Sequence, residues 1–394
     1  METSLRLERI RKLKKLKEPY PAVSNPRALK GRIRSIRKHG GSVFAHIDSQ
    51  QIFLKKDLLG EEKFSEFVNL FDIGDIIEVV GKKFKTKAGE DTIEVKDFKM
   101  LSKALIGLPD KWSGLKDKEI RFRKRYLDLL MNDEAKEIIL KRSEIITKIR
   151  SFLNKNDFLE VETPILQPLY GGASAKPFKT HLNALKMDLY LRVASELYLK
   201  RLLVGGLERV YEIGRCFRNE GMDRSHNPDF TMLEFYSAYW DWEDTMKFTE
   251  DMLAQFGIPK KWDVVEYDKV VGGRDDKEVY KKFKRPTWVK YLPNMPLAKN
   301  GEAVQGVYQG LEIVKIFTEQ NDPEEQVKAF KNQEKMAKAG KEETQPMDKD
   351  FIEALEHGMP PAGGCGIGID RLAMILTKAS TLRETILFPT MKKK

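Results

Sequence analysis

The chain has 394 residues, of which 41% are hydrophobic and 33% charged, and its formal net charge at pH 7 is +11. This length and apolar content predict two or three folded domains and exclude a mainly disordered chain. No run approaches the roughly 18 to 20 apolar residues of a membrane span, and the charged N-terminus lacks the apolar segment of an export signal. We therefore expect a cytoplasmic protein that does not associate with membranes.

Positive charge is concentrated at the N-terminus. Residues 1–60 contain fifteen Lys or Arg and five Asp or Glu, and residues 5–17 form a Lys-rich predicted helix. A segment of this kind either binds a polyanion such as a nucleic acid or is a solvated helix face. Cys216 and Cys365 are far apart, and the five histidines show no zinc spacing, so we expect reduced thiols and no zinc site.

Residues 28–105 have the pattern of a small β-barrel. Five strands are predicted, at residues 28–37, 42–48, 51–55, 75–82 and 92–100. A helix is predicted at residues 61–70, between the third and fourth strands. This order is typical of an OB-fold, which binds single-stranded nucleic acid on one face.

A long helix and a short strand are predicted next. Apolar residues follow a period close to 3.6 over residues 133–154, and the polar residues 154–157 end the helix. A strand-like segment follows and ends at Pro164. Because proline cannot donate to a sheet ladder, this segment fits a sheet edge or an interface.

Residues 210–238 predict a strand, a loop and a returning strand. Alternation places four side chains of the returning strand on one face: Phe230, Met232, Glu234 and Tyr236. Arg218 offers a planar fork for phosphate oxygens, Phe230 a face for a flat base, and Glu234 a counter-charge for a cation. The pattern indicates a site for ATP and a cationic or zwitterionic substrate. The alternative is an ordinary amphipathic hairpin in which Arg218 pairs with a glutamate.

A glycine-rich strand that passes into an apolar helix is predicted near the C-terminus. Residues 363–372 read GGCGIGIDRL, and glycines in such a strand let the backbone approach a ligand closely. A dinucleotide-binding turn is excluded because no βαβ unit follows. Arg371 begins the helix and either binds a ligand or pairs with a carboxylate, for example that of Asp370.

These segments resemble the three motifs of the class II lysyl-tRNA synthetases of the bacterial type. Motif 1 matches residues 140–166, motif 2 residues 210–238 and motif 3 residues 362–388. The resemblance covers nearly the whole chain and implies an α+β fold, with an N-terminal OB-fold β-barrel and a class II antiparallel-sheet catalytic domain. We predict a basic helix and anticodon-binding OB-fold at residues 1–108, a linker at 109–132 and the catalytic domain at 133–394. In this family motif 1 forms the dimer interface, so we expect a homodimer.

The resemblance implies an ATP site in the catalytic domain. Arg218 and Arg371 would bind the phosphates and stabilise charge during catalysis, because family enzymes use no obvious side-chain base. Phe230 and Arg371 would cover the adenine from opposite sides. Glu220 would contact the adenine amino group, and His226 would lie at the phosphates.

A magnesium site is implied beside the ATP. Glu312 matches a ligand of Mg²⁺ and ATP, whereas the second metal glutamate of the family is replaced by Gln305. A neutral carbonyl can still coordinate Mg²⁺, but the site loses one negative charge. We therefore expect Mg²⁺ as the cofactor, bound more weakly than usual.

The resemblance also implies a site for L-lysine, made by Gly172, Glu196, Glu234, Tyr236, Lys315 and Glu319. Glu196 would hold the α-amino group and Glu319 the ε-ammonium group, while Gly172 belongs to a loop that closes the pocket. Glu196 could instead be an acidic residue that merely begins a helix. Lys315 replaces the usual asparagine and either pairs with the substrate carboxylate or blocks the anionic pocket.

In the OB-fold, Arg37, Phe44 and Gln51 match positions that contact anticodon bases. Phe44 can stack on an unpaired base while Arg37 and Gln51 reach the base edge. The alternatives place Phe44 in the barrel core and make Gln51 merely an exposed residue.

The predicted function is that of a lysine–tRNA ligase, which activates lysine with ATP and transfers it to the 3′ end of tRNA(Lys). Residues 256–284 are shorter than the matching insertion of the family, so the catalytic domain is a trimmed form. Together with Gln305 and Lys315, this leaves an alternative open. The chain could be a synthetase-like paralogue that binds RNA without catalysis, or that uses another amino acid or a protein acceptor.

Overall fold

A computed structural model describes residues 28–109, 115–341 and 344–393, together with Glu8. The described residues form two compact units that divide between Lys116 and Asp117. Apart from Glu8, the helix predicted at residues 5–17 lies outside the described residues. Among the described helices, none is both long enough and apolar enough to cross a lipid bilayer.

The first unit is a closed five-stranded barrel. Its elements are β1 (Leu29–His39), β2 (Ser42–Ile47), β3 (Gln50–Lys55), α1 (Lys56–Leu59), α2 (Glu61–Leu70), β4 (Ile76–Lys85) and β5 (Asp91–Ser102). The strand order is β1-β2-β3-β5-β4, and β3 runs parallel to β5. The helix between the third and fourth strands lies where the sequence predicts it, and the barrel confirms the OB-type fold.

Strand alternation separates the barrel core from its outer surface. In β2, Val43, Ala45 and Ile47 are buried, whereas Phe44 and His46 between them are only partly buried. The buried set points inward, because successive side chains of a strand face opposite sides of the sheet. Phe44 therefore lies on the outer surface and not in the core.

The second unit is a mixed α and β domain. Its helices are α3 (Lys118–Arg123), α4 (Arg125–Met131), α5 (Asp133–Lys155), α6 (Glu196–Val204), α7 (Trp242–Ala254), α8 (Tyr267–Val270), α9 (Asp276–Tyr280), α10 (Pro323–Lys338), α11 (Lys349–Glu356), α12 (Ile369–Leu376) and α13 (Leu382–Thr385). Its strands are β6 (Leu159–Glu160), β7 (Leu166–Gln167), β8 (Phe178–Leu182), β9 (Met187–Leu191), β10 (Arg209–Phe217), β11 (Asp229–Ala238), β12 (Asp263–Glu266), β13 (Thr287–Lys290), β14 (Ala298–Tyr308), β15 (Leu311–Glu319) and β16 (Ala362–Gly368).

An eight-stranded sheet is the centre of this unit. Its strand order is β12-β13-β14-β15-β16-β11-β10-β6, and all neighbours are antiparallel except the outermost pair at each edge. The glycine-rich strand β16 lies between β11 and β15, so motifs that are far apart in the sequence meet at the sheet centre. This arrangement confirms the predicted α+β class.

The long helix α5 packs on the sheet through its apolar stripe. Ile145, Ile149 and Leu153 are fully buried and belong to the same core cluster as sheet residues such as Leu233. The helix ends within one residue of the predicted position. Asp157, shortly after it, has a φ of 64°, a left-handed conformation that Asp tolerates and that turns the chain towards β6.

The residues predicted as a linker contain the helices α3 and α4, which pack with the second unit. Arg125 is fully buried and donates to Asp128 at 2.5 Å. It also donates to the backbone carbonyls of Arg383, Ile386 and Leu387 at 2.5 to 3.0 Å. These charge-assisted bonds fasten the C-terminal segment onto α4.

Candidate active site

The three central strands of the sheet line a cavity of about 270 Å³. Alternate side chains of β11 face it, namely Phe230, Met232, Glu234 and Tyr236, as the sequence predicts. In the register with β16, Glu234 lies opposite Gly366 and Tyr236 opposite Gly364. The side chains of Glu234 and Tyr236 thus stand beside glycines of the neighbouring strand, which have no side chains.

The glycines of β16 make room for the carboxylate and the phenol beside them. A Cβ atom at Gly364 would lie 2.1 Å from Oε1 of Glu319 and 2.4 Å from Cε1 of Tyr236. Both distances are far below van der Waals contact. The floor of the cavity therefore requires glycine at this position.

A bulge brings the other wall of the cavity into place. Lys315 and Glu319 lie four positions apart on β15 and therefore share a face. Glu312 lies three positions before Lys315, so regular alternation would place it on the other face. The register of β14 and β15 shifts between Gly306 and Val307. One extra residue in β15 at this bulge lets Glu312 join the cavity lining.

Arg218 lies at one end of the cavity without a protein partner. Its guanidinium is 5.0 Å from the ring centroid of Phe230, and its buried Nε atom makes no hydrogen bond to the described residues. A buried donor without an acceptor is costly, which favours binding of an external anion here. The alternative pairing of Arg218 with a neighbouring glutamate is not formed.

Arg371 is held at the same end by several contacts. It donates to the backbone carbonyl of Glu312 at 3.0 Å and to Nε2 of His226 at 2.9 Å. Nε2 therefore accepts, so the proton of neutral His226 is on Nδ1, which lies 2.8 Å from the Asp223 carboxylate. Although partial burial acts in the other direction, hydrogen bonds from Ser225 and His226 lower the pKa of Asp223 to about 2.

Asp370 does not pair with Arg371. Its carboxylate accepts from Arg142 at 2.7 Å and from the backbone N–H of Thr231 at 2.8 Å. Asp370 thus connects α12 to α5 and β11, while Arg371 forms an ion pair with Glu312 at 3.7 Å, so the alternative of an Arg–carboxylate pair is met by Glu312 and not by Asp370. The cations at this end face the Glu312 carboxylate. Against the effect of burial, Lys315, Arg371 and Arg218 lower its pKa.

The opposite end of the cavity is anionic. Glu196, Glu234 and Glu319 are all at least nine-tenths buried, and Tyr236 lies among them. Oε2 of Glu234 accepts from the N–H and hydroxyl of Ser195 at 3.1 and 2.7 Å. Burial, and then the charge of Glu196, raises the pKa of Glu234 to about 7. Burial likewise raises the pKa of Glu319 to about 8 against the opposing effect of Lys200.

Lys200, and not Lys315, lies beside two of these carboxylates. It donates to Oε1 of Glu196 at 2.7 Å and forms an ion pair with Oε2 of Glu319. Lys200 was not singled out from the sequence, although its position one turn after Glu196 in a predicted helix is a signal for such a pair. Glu196 is the first residue of α6, as expected of an acidic residue that begins a helix, and it also lines the cavity.

Lys315 stands between the two ends of the cavity. Its ammonium is 3.9 Å from Oε1 of Glu312, and its side chain lines the cavity while remaining partly exposed. No ion pair joins it to Glu234 or Glu319 within the described part of the chain. Lys315 thus lies near Glu312 and outside the group of buried carboxylates, and its pairing with a substrate carboxylate stays a prediction.

Two loops close the rim of the cavity. Gly172 has a φ of 82°, and its N–H donates to the side-chain carbonyl of Gln345 at 3.1 Å. Glu220 is exposed and accepts from the N–H of Lys176 at 3.2 Å. Gln345 is buried and lines the cavity, but no sequence motif indicates it.

The two predicted metal ligands differ in their access to the cavity. Glu312 lines the cavity, whereas Gln305 does not, and the carbonyl oxygen of Gln305 accepts from the hydroxyl of Tyr280 at 2.8 Å. The Gln305 side chain also hydrogen bonds to Glu312. Gln305 therefore contacts Glu312 directly, and its role as a metal ligand stays a prediction. No cluster of three or more His, Cys, Asp or Glu suited to a metal occurs among the described residues.

On the barrel, the three predicted anticodon-contacting residues differ in exposure. Arg37 is exposed and pairs in register with Phe44. Gln51 is buried, because its amide donates to Glu90 at 2.6 Å and accepts from Thr92 at 2.7 Å. The expectation that Gln51 is merely an exposed residue is therefore wrong, and its amide does not stand free to reach a base edge.

Two further aromatic residues extend the outer surface of the barrel. The ring centroids of Phe44 and Phe53 are 4.6 Å apart, and those of Phe53 and Phe84 are 6.1 Å apart. Phe84 is exposed on β4 next to Lys83 and Lys85. This aromatic row with lysines has the character of a surface for single-stranded nucleic acid. Phe53 and Phe84 were not singled out from the sequence.

The cavity has two ends on one antiparallel sheet. At one end the Nε atom of Arg218 has no partner among the described residues, and at the other lie three buried carboxylates. These two ends are typical of an enzyme domain that joins ATP to a cationic substrate as an adenylate. Residues 117–392 match the family model described as tRNA synthetases class II (D, K and N). This match covers most of the chain and almost all of the second unit.

Several relatives resemble the chain over nearly its full length. It is 42% identical to a lysine–tRNA ligase of Aquifex aeolicus, over 96% of this chain and 75% of that protein. It is 45% identical to a lysine–tRNA ligase of Thermoanaerobacter pseudethanolicus, over 93% and 87% of the two chains. With a lysine–tRNA ligase of Clostridium novyi the identity is 42%, over 98% and 90%. The chain therefore belongs to the class II tRNA synthetase family, among its lysine–tRNA ligases.

The alignments also show that this chain is a short form. The comparison with the Clostridium novyi protein spans 459 positions, whereas this chain has 394 residues, so at least 65 positions fall on gaps in this chain. The location of the shortening within residues 256–284 remains a prediction. That segment contains the ordered elements β12, α8 and α9.

Proposed function

We propose that the protein is an ATP-dependent lysine–tRNA ligase. The observation that carries this proposal is the cavity itself, in which an end with unpaired Arg218 adjoins a buried end with three carboxylates. The first end suits the phosphates of ATP and the second suits the two ammonium groups of lysine. The similarity to lysine–tRNA ligases over most of the chain supports the same assignment.

In the proposed first step the lysine carboxylate attacks the α-phosphorus of ATP in line. The new C–O–P linkage forms lysyl-adenylate as the bond to pyrophosphate breaks. Arg218 and Arg371 would bind phosphate oxygens and stabilise the charge that develops on them, and Phe230 would stack on the adenine. Glu220 would accept from the adenine amino group, and His226 would fix Arg371 through its Nε2 atom.

Lysine would lie in the anionic end. Glu196 would bind its α-ammonium group, while Glu319, Glu234 and Tyr236 would surround its ε-ammonium group. Lys315 would pair with the lysine carboxylate and hold it near the α-phosphate. The loop at Gly172 would close over the amino acid, since its N–H already contacts Gln345 at the rim.

Mg²⁺ fits the site as a partner of ATP more than as a protein-bound ion. Glu312 supplies one carboxylate at the cavity, and Mg²⁺ is commonly held by one or two carboxylates together with substrate phosphates. Glu312 would thus hold Mg²⁺ on the phosphates, and Gln305 would orient the Glu312 carboxylate. When bound, the ion would neutralise phosphate charge. Because the second anionic ligand of the family is lost, we expect the protein to bind Mg²⁺ more weakly.

In the second step the 3′-terminal ribose of tRNA(Lys) would take the lysyl group and release AMP. The barrel would bind the anticodon, with Phe44, Phe53 and Phe84 stacking on bases and Arg37 binding backbone or base edges. Gln51 would act by holding Glu90 and Thr92 in place.

A homodimer is proposed on the strength of an exposed edge. The edge strand β6 carries exposed Leu159, and Ile165 and Leu166 nearby are exposed as well. Apolar side chains at an uncovered sheet edge are a common mark of a subunit interface.

The proposed compartment is the cytoplasm, because Cys216 and Cys365 are free, buried thiols.

Charging of tRNA tests the whole function. Purified protein with ATP, Mg²⁺, radiolabelled lysine and tRNA(Lys) transcript is expected to produce alkali-labile lysyl-tRNA. Formation of lysyl-adenylate without labelled tRNA would show that the acceptor is a different molecule. Absence of both products would support a non-catalytic paralogue.

Replacement of Lys315 by methionine is expected to lower kcat/KM for lysine in ATP–pyrophosphate exchange by about 100-fold. The reason is the loss of one charge-assisted contact to the substrate carboxylate, worth roughly 2–3 kcal/mol. Lys331→Met on exposed α10 is the matched control. If Lys315→Met improved activity, Lys315 would be an obstacle in the site and not a ligand.

Replacement of Phe53 or Phe84 by alanine is expected to raise KM for tRNA by roughly 5- to 150-fold, the equivalent of one lost base stack of about 1–3 kcal/mol. The rate of ATP–pyrophosphate exchange should not change, because no tRNA takes part in it. Leu58→Ala, which removes an exposed apolar side chain elsewhere on the barrel unit, is the control. An unchanged KM for tRNA in both variants would remove this surface from the proposal.

The Gly364→Ala variant is expected to lose lysine-dependent exchange by about 100-fold or more, since displacement of catalytic geometry by about 1 Å has effects of this size. The added methyl would displace Glu319 and Tyr236. Gly41→Ala is the control, because its Cβ would meet no atom closer than 3.7 Å. Full activity of Gly364→Ala would show that the glycine floor is not needed.

A further inference from the structure

Lys200 is a buried cation directly behind the amino-acid end of the cavity. It lies on α6 one turn after Glu196, and its side chain has no exposed surface. The ammonium donates to Glu196, pairs with Glu319 and lies 3.5 Å from the carbonyl of Leu297. It is not among the residues that line the cavity, so substrate would meet the two carboxylates and not the ammonium itself.

The carboxylates that contact Lys200 keep atoms free for a ligand. Oε1 of Glu319 is buried and has no hydrogen-bond donor in the described residues, while Oε2 pairs with Lys200. Lys200 thus holds Glu319 by one oxygen and leaves the other beside the glycine floor. A buried carboxylate oxygen without a donor points to a missing cationic group.

The charges of this end can be counted. Glu196 and Glu319 face the Lys200 ammonium, and Glu234 interacts electrostatically with both carboxylates. When all are ionised, three carboxylates and one ammonium leave two negative charges. Free L-lysine brings two ammonium groups. The occupied amino-acid end would contain three cations and three anions, and Lys315 would match the substrate carboxylate, which avoids an uncompensated buried charge.

We propose that Lys200 is a positioning residue that sets the charge of the amino-acid pocket, so that it matches the two ammonium groups of the substrate. The proposal rests on the proposed lysine–tRNA ligase function. Lys200 would neutralise one carboxylate permanently and hold Glu196 and Glu319 at a fixed spacing. Its effect on substrate would pass through these two residues, since it does not reach the cavity itself.

Substitution tests the charge role. Lys200→Met keeps the length of the side chain but leaves three carboxylates for two ammonium groups. KM for lysine in ATP–pyrophosphate exchange is expected to rise by about 100-fold, because Glu196 and Glu319 lose the ammonium that fixes their spacing. KM for ATP should stay within about twofold, because the pair lies at the other end of the cavity. Lys328→Met, which breaks an exposed pair with Glu325, is the control.

The direction in which Lys200→Met changes KM for lysine distinguishes a charge-balancing role of Lys200 from a packing role. Glu196→Gln alone leaves one negative charge for two ammonium groups and is expected to raise KM for lysine. Adding Lys200→Met to Glu196→Gln restores two negative charges, so KM for lysine should then fall by about tenfold relative to Glu196→Gln. Lys200→Met would thus weaken lysine binding in one background and strengthen it in the other. A residue that only fills space would weaken binding in both.

The outcomes are distinct. If Lys200→Met does not fold, the comparison of Glu196→Gln with the double variant still decides, because the double variant removes both charges of the buried pair. A double variant with a higher KM for lysine than Glu196→Gln would overturn the proposal, as would an unchanged KM in a folded Lys200→Met. Absence of lysine-dependent exchange in the unmodified protein would instead overturn the proposed function.

Discussion

Replacement of Arg218 by alanine is expected to lower kcat of lysine-dependent ATP–pyrophosphate exchange by about 10³-fold, the size of effect seen when a preorganised donor to a developing charge is removed. Among the described residues the Nε atom of Arg218 has no hydrogen-bond partner, and its guanidinium lies over the Phe230 ring, so it is placed for phosphate and adenine together. The defect should be confined to the ATP end of the cavity. Binding of lysine, measured by calorimetry without ATP, should remain within about threefold, because sites without shared partners act independently.

A lysine at position 218 should rescue little of this loss. An ammonium is a point charge, whereas a guanidinium gives two parallel hydrogen bonds and a flat face for stacking. Arg285→Ala is a suitable control, since Arg285 is exposed and lies 3.6 Å from Asp263 at the surface. Near-normal kcat in Arg218→Lys would mean that charge alone suffices and that the bidentate geometry is unimportant. Near-normal kcat in Arg218→Ala would remove Arg218 from the mechanism.

The second large effect is expected for Glu319→Gln, which should raise KM for lysine by about 10²- to 10³-fold. Loss of one partner from a buried, hydrogen-bonded charge pair costs about 3–4 kcal/mol, which corresponds to this range. The variant keeps the shape of the side chain and removes only its charge. KM for ATP should be unaffected. Glu325→Gln on exposed α10, where Glu325 pairs with Lys328, provides the control.

The pH dependence of KM gives a further readout of Glu319. Burial raises the pKa of Glu319 to about 8 in the absence of substrate although Lys200 opposes this shift, so protons compete with a bound cation for this carboxylate near neutral pH. An ammonium group binds the ionised form, so KM for lysine is expected to fall as the pH rises from about 6.5 to 8. Glu234, whose pKa is raised to about 7, contributes in the same direction. In Glu319→Gln this fall should be smaller. An identical pH profile in both proteins would show that Glu319 does not bind the substrate cation.

Much of the fold can be predicted from periodicity. The alternation in the hairpin places Phe230, Glu234 and Tyr236 on one face, and the structure puts all three at the cavity. Helix α2 begins and ends where the pattern indicates, and α5 extends only one residue further. These features are local: they depend on side-chain order along one strand or one helix, which the sequence states directly.

Other features depend on contacts between distant segments. Gln51 follows the strand pattern of an outward residue, but its amide is engaged by Glu90, just before β5, and by Thr92 at the start of β5. Gln305 is engaged by Tyr280, whose position depends on how β13 and β14 pack. No pattern within a single segment reveals such partners. They become visible only when the tertiary structure brings the segments together.

The same reason explains why the cation that pairs with Glu196 and Glu319 was not identified from the sequence. Lys315 differs from the residue expected at its position, whereas Lys200 lies in an ordinary amphipathic helix. In the structure Lys200 pairs with Glu196 and Glu319, while Lys315 lies near Glu312. Glu312 itself reaches the cavity only because of the bulge between β14 and β15. Strand alternation alone would place it on the opposite face.

Amino-acid-dependent ATP–pyrophosphate exchange tests the central claim most directly. The assay needs only purified protein, ATP, labelled pyrophosphate, Mg²⁺ and each of the twenty amino acids in turn, and it involves no tRNA. Exchange is expected with lysine and not with the other nineteen amino acids, because only lysine supplies two ammonium groups to the three buried carboxylates. Exchange with a different amino acid, or no exchange with any of them, would contradict the assignment of this cavity to lysine activation.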